Sequence, residues 1–105
     1  MKHNGTLLGL FIVRTAPPHG ETLLGRVQGE LYLLAFSNAP LAMACMSTLG
    51  ASGAPFYVCS ANVESLVREA RSSGVRGFIV DYDAERAAFT SAHALPPIVT
   101  EARAT

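Results

Sequence analysis

A chain of 105 residues, half of them apolar, is long enough to bury one core without metal or disulfide staples and is read as a single domain over 1–105. Eight Lys and Arg balance eight Asp and Glu, so there is no basic field to attract nucleic acid or an anionic membrane surface. Only 15% of residues are charged, against about 25% in typical soluble domains, and part of the apolar surface is therefore expected to meet another chain.

The first apolar run, Thr6 to Val13, is bounded by Gly5 and by Pro17 and Pro18, and predicts a buried strand. It is short, Arg14 follows at once and no A-x-A site appears, which argues against a signal peptide. No stretch approaches the roughly 20 apolar residues of a membrane helix, so a cytoplasmic protein is expected. Thr22 to Gln28 and Glu30 to Phe36 read as a hairpin turning at Gln28 and Gly29. Ser37 and Asn38 then offer N-cap oxygens, Pro40 suits a first helical turn, and Leu41 to Leu49 runs helically to Gly50.

This first helix carries no charge. Leu41, Ala44, Cys45, Thr48 and Leu49 form its expected core stripe, but Ala42, Met43 and Met46 are apolar too, so the helix must be covered on both sides or expose a patch. Ala51 to Pro55 reads as a short linker within the fold. Phe56 to Asp83 then reads as strand, capped helix, glycine stop and second strand. Val63, Leu66, Val67 and Ala70 fall on one helical face, with Glu64, Arg68, Glu69 and Arg71 on or near the other. Ser60 or Asn62 supplies the N-cap oxygen, Gly74 the left-handed stop, and Val75 to Tyr82 the strand.

Two strands joined through a helix should run parallel, and Leu66, Val67, Phe78 and Val80 should be nearly solvent-free. Ala84 to Arg86 turns the chain into an edge strand over Ala87 to Ala92, and Pro96 and Pro97 end regular structure, leaving a loose tail from 96. The predicted fold class is α/β: a mixed sheet of about five or six strands with two main helices and a strand-helix-strand crossover.

The sharpest chemical pattern is the apolar run Phe78-Ile79-Val80 ending in Asp81-Tyr82-Asp83. It resembles the first motif of haloacid-dehalogenase-type phosphatases, in which one carboxylate attacks phosphorus and the second moves the proton beside a magnesium ion. Glu85 stands where that family places Thr or Val, and the segment after Asp83 is too short for the downstream lysine and acidic motifs. Asp81 and Asp83 are better read as a polar strand exit, bonded to turn amides or paired with Arg86.

Cys59 sits just before a helix, where the dipole favours thiolate. Phosphotyrosine phosphatases and arsenate reductases place Arg six positions after such a Cys; here that position is Ser65. Cys45 and Cys59 are both read as small buried hydrophobes. His3, His19 and His93 are scattered, without metal-ligand spacing, and no dinucleotide, Walker or Ser-His-Asp signature is present. No catalytic residue, metal site or cofactor is expected.

From Glu30 the order is an apolar strand ending in Phe36-Ser37, a helix, a strand, a second helix rich in Leu and Ala, a Gly, and a strand whose short apolar run ends in a polar turn. Over Thr6 to Asp83 this resembles the N-terminal domain of the SseB (enhanced serine sensitivity) family. The resemblance implies a mixed α/β sheet and brings no active site. Where that family commonly has Asn-Pro after the last strand, this chain has Asp81-Tyr82-Asp83.

The function expected from these residues is that of a non-catalytic protein- or ligand-binding domain. It is expected to form a homodimer in which Leu41, Met43 and Met46 lie at the interface. The alternative is a small metal-assisted hydrolase or ligand sensor using Asp81, Asp83 and Glu85, at the sheet edge where ligands of open α/β sheets bind.

Overall fold

A computed structural model describes residues 6–15 and 21–95. The strands are β1 (Phe11–Thr15), β2 (Leu24–Val27), β3 (Glu30–Ala35), β4 (Gly53–Tyr57), β5 (Gly77–Val80) and β6 (Ser91–Ala94). The helices are α1 (Ala39–Leu49) and α2 (Val63–Ser72). A four-stranded sheet has the order β2-β3-β5-β6, and β1 pairs with β4 in a second, two-stranded sheet. Bridges at Phe11–Phe36 and Arg14–Thr22 join the two sheets. The fold is mixed α/β, because β3 and β5 run parallel while the β1–β4, β2–β3 and β5–β6 pairs are antiparallel.

Alternation along the central strands builds two cores. Leu33, Ala35, Phe78 and Val80, with Ile12 of β1, join Leu66, Val67 and Ala70 of α2 in one. Leu34, Ile79 and Val13 join Phe36 and the α1 residues Ala42, Cys45 and Met46 in the other. One helix therefore covers each face, as the period-two reversal of strand side chains requires. Leu66, Val67, Phe78 and Val80 are no more than 4% exposed, as expected for an amphipathic helix laid on a sheet.

The β2–β3 hairpin turns where predicted, with Gln28 and Gly29 both at positive φ (53° and 83°). That pair matches the twist of the flanking strands. Asn38 caps α1 by accepting the Leu41 N–H at 2.9 Å, and Gly50 ends it at φ 70°. Gly74 takes the left-handed position beyond α2, at φ 81°. Gly77 has a different reason to be glycine: a Cβ there would collide with the His93 carbonyl on β6.

Several expectations are corrected. The first strand starts at Phe11, because the chain turns at Gly9 (φ 86°) with the Leu10 N–H donated to the Leu7 carbonyl. The segment read as a linker enters β4, where Gly53 lets the backbone approach Arg14 and Pro55 is tolerated on an edge. The strands flanking α2 are not neighbours: β4 pairs with β1, and the parallel partner of β5 is β3. β5 is buried along its whole length, whereas β4 is mostly exposed; a strand buried on both faces belongs inside a sheet and a half-exposed one at its edge.

Asn62 occupies the N-cap position of α2 without capping it, since its Oδ1 accepts from the Cys59 N–H instead. The last strand begins at Ser91, later than expected, because residues 84–87 form a turn closed by the Asp83–Ala88 bridge. The buried stripe of α1 is Ala42, Cys45 and Met46, while Leu41, Ala44, Thr48 and Leu49 are exposed. With no charged side chain to mark a solvent face, the sequence leaves the rotation of this helix open. Met46, expected at an interface, is thus a core residue at 7% exposure. The predicted tail from 96, and His3 and His19, lie outside the described residues. Among the described residues no helix is long and apolar enough to cross a membrane.

Candidate binding site

The parallel strands β3 and β5 end side by side, and the residues after them, Ser37 and Asp81, are joined. Asp81 Oδ1 accepts the Ser37 N–H at 2.7 Å and Oδ2 accepts the Ser37 hydroxyl at 2.9 Å. Asp81 holds a left-handed φ of 57° while its own N–H is donated to the Ala35 carbonyl at 2.7 Å. Asp tolerates that conformation better than most residues. The bend and the two carboxylate bonds tie the exit of β5 to the entry of α1.

Asp83 is engaged within its own turn. Its Oδ1 accepts the Glu85 N–H at 3.0 Å and the Arg86 N–H at 3.4 Å, and Arg86 Nε lies 3.7 Å from Oδ2. The reading of Asp81 and Asp83 as a polar strand exit matches this geometry. The Glu85 carboxylate has no hydrogen-bond or ion-pair partner among the described residues.

These three acids and one flank of α1 line a common groove of about 330 Å³, with Leu41, Ala44, Cys45 and Thr48 on the helical side and residues 81–85 opposite. The fold thus brings together the acidic candidates and Leu41 of the apolar candidates. Met43 is 54% exposed, outside the groove lining, and Met46 is buried. Burial, and secondarily the Asp83 carboxylate, push the Cys45 thiol above its ordinary pKa; Cys45 is therefore a neutral apolar part of the wall at neutral pH. Cys45 and Thr48 are groove residues that sequence reasoning placed only in a core stripe. Ser37, expected as an alternative helix cap, is instead the partner of Asp81.

A larger cavity, about 390 Å³, lies between α2 and the β2–β3 hairpin. Its acid Glu69 is paired with Arg14 at 3.3 Å, and Arg14 also donates to the Thr22 hydroxyl at 2.7 Å. None of the site candidates Leu41, Met43, Met46, Asp81, Asp83 and Glu85 lines it.

Cys59 is half-buried, and its Sγ accepts from Asn62 Nδ2 at 3.4 Å. No basic side chain is bonded to it among the described residues. His93 stacks on Phe78, ring centroids 5.1 Å apart, and its Nε2 is 2.9 Å from Ser91 Oγ. Among the described residues no group of three or more His, Cys, Asp or Glu is placed to hold a metal ion.

No known family model matches this chain, and no characterised protein matches it in sequence.

Proposed function

We propose that this protein is a non-catalytic binding domain that self-associates through the exposed, uncharged surface of α1. The observation that carries the reading is the composition of that surface. α1 has no acidic residue in its first turn and no basic residue in its last, and Leu41, Met43 and Leu49 are 42%, 54% and 47% exposed. Large apolar side chains grouped on one uncharged helix are what interfaces use, and a two-fold dimer is the commonest closed solution. Element order supports kinship with the SseB-type N-terminal domain as part of the same proposal, since β3 runs through Phe36 and Ser37 into α1.

Sedimentation equilibrium at high micromolar concentration tests the reading. The wild type is expected to be a dimer and Met43→Glu a folded monomer; a monomeric wild type refutes self-association.

The competing reading is a metal-assisted hydrolase or ligand sensor built on Asp81, Asp83 and Glu85. It is disfavoured because both Asp81 oxygens are held by Ser37 and Asp83 is held by its own turn, leaving Glu85 alone to offer a carboxylate. A magnesium or manganese titration followed by thermal shift is expected to give no saturable stabilisation. A saturable rise that disappears in Asp81→Asn would reverse the preference.

A further inference from the structure

The cavity between α2 and the β2–β3 hairpin lies on the face of the sheet opposite α1, and its floor is apolar. Leu33, Leu66, Ala70 and Val75 line it and belong to the core under α2, while half-buried Leu24 closes one side. Its volume, about 390 Å³, falls in the range of small-molecule sites, which combine such a floor with a few polar groups that orient the ligand.

The polar groups of the lining are the carboxylates of Glu21 and Glu69 and the hydroxyls of Thr22 and Ser73, with no Lys, Arg or His among the described residues. Glu69 is neutralised from outside the lining by Arg14, 3.3 Å away, which also donates to the Thr22 hydroxyl. Ser73 gives its hydroxyl hydrogen to the Glu69 carbonyl at 3.2 Å, which leaves the oxygen able to accept. Glu21 differs from Glu69. Its backbone is pinned to Thr15, whose hydroxyl accepts the Glu21 N–H at 2.9 Å and whose N–H donates to the Glu21 carbonyl at 2.7 Å. Its carboxylate has no hydrogen-bond or ion-pair partner among the described residues. One uncompensated anion therefore stands, on a fixed backbone, beside an apolar floor.

Charge complementarity selects the occupant. An anion would be repelled by Glu21, a neutral apolar molecule would gain nothing from it, and a dication would bring a second charge to a Glu69 that Arg14 already holds. We infer that this cavity binds a small organic monocation, a primary ammonium on an aliphatic body, with the ammonium at Glu21 and the Ser73 oxygen and the body over Leu24, Leu33, Leu66 and Val75. The site does not involve the α1 surface on which the proposed self-association rests.

Titration of the intact, isotope-labelled protein with n-hexylammonium, followed by amide chemical shifts, tests the inference and locates the ligand. Saturable shifts are expected at Glu21, Thr22, Leu24 and Ser73. n-Butylammonium, two methylenes shorter, should bind about tenfold more weakly. n-Hexanol should bind about three- to fivefold more weakly than n-hexylammonium, and hexanoate should give no saturable shift. Glu21→Gln changes an exposed side chain, which leaves folding largely untouched, and should weaken n-hexylammonium to about the affinity of n-hexanol. Absence of saturation, or shifts confined to the groove beside α1, overturns the site. Hexanoate or n-hexanol binding as tightly as n-hexylammonium, or a Glu21→Gln variant with unchanged affinity, overturns the choice of a cation.

Discussion

Helix α2 buries Leu66, Val67 and Ala70 and turns Glu64, Arg68 and Glu69 to water, whereas α1 buries Ala42, Cys45 and Met46 and turns Leu41, Met43 and Leu49 outward. The two helices cover opposite faces of the same strands, and both present a stripe at spacings of three and four. What separates them is the outer surface. Glu64 and Arg68 form an i,i+4 ion pair at 3.1 Å on α2, worth only about 0.3 to 0.5 kcal/mol, and its larger effect is to make the outer face at home in water. The outer face of α1 has no such group, so apolar area remains that a second protein surface can remove from water.

The largest effect expected from this contrast comes from placing the same charge on the inner and outer sides of α1. Met46→Glu should abolish folding, because an unpaired buried carboxylate costs several kcal/mol against a total stability of about 5 to 15 kcal/mol. Met43→Glu should leave the fold within about 0.5 kcal/mol of wild type when both are measured below the dimer Kd, where association adds nothing to stability. Urea denaturation of the two variants compares them directly, and equal losses would mean that the rotation assigned to α1 is wrong.

The next effect concerns the face under α2. Leu66→Ala should cost about 2 to 5 kcal/mol, the range for truncating a buried leucine. A loss below about 0.5 kcal/mol in the same titration would show that α2 does not seal its face. The smallest effect belongs to the junction between the two regions, where Ser37→Ala deletes one hydrogen bond to Asp81 and should cost about 0.5 to 1.5 kcal/mol. An unchanged urea midpoint would mean that the Ser37 hydroxyl bond contributes nothing in solution, and that the tie rests on the Ser37 N–H bond to Asp81 alone.

Legibility in the sequence followed the same division. α2 could be read to the correct face because Val63, Leu66, Val67 and Ala70 alternate with charged residues and Gly74 stops the helix. The β2–β3 hairpin could be read because Gln28-Gly29 suits a tight turn between two apolar runs. α1 could be located from Asn38, Pro40 and Gly50, but its buried stripe could not be chosen, since almost every residue along it is an equally good core residue. Of the candidate site, the acidic strand exit was legible as a cluster along the chain. Its proximity to Leu41, Ala44 and Thr48 was not, because that depends on which face of β3 and β5 receives α1.

By itself, the sequence determined the class of the fold, both helices, the hairpin, the residues sealing α2 and the polar nature of the turn after Val80. Each of these rests on local signals: periodicity, caps, turn residues and charge contrast. Only the tertiary structure decided that β5 lies beside β3 and not beside β4, that Met46 points inward, and that Asp81 closes on Ser37 from 44 positions away in the chain. Those outcomes follow from competition among distant segments for the same buried surface. The strand buried on both faces takes the centre of the sheet, the half-exposed strand takes an edge, and the uncharged helix settles in the rotation that best fills the space over Val13, Phe36 and Ile79.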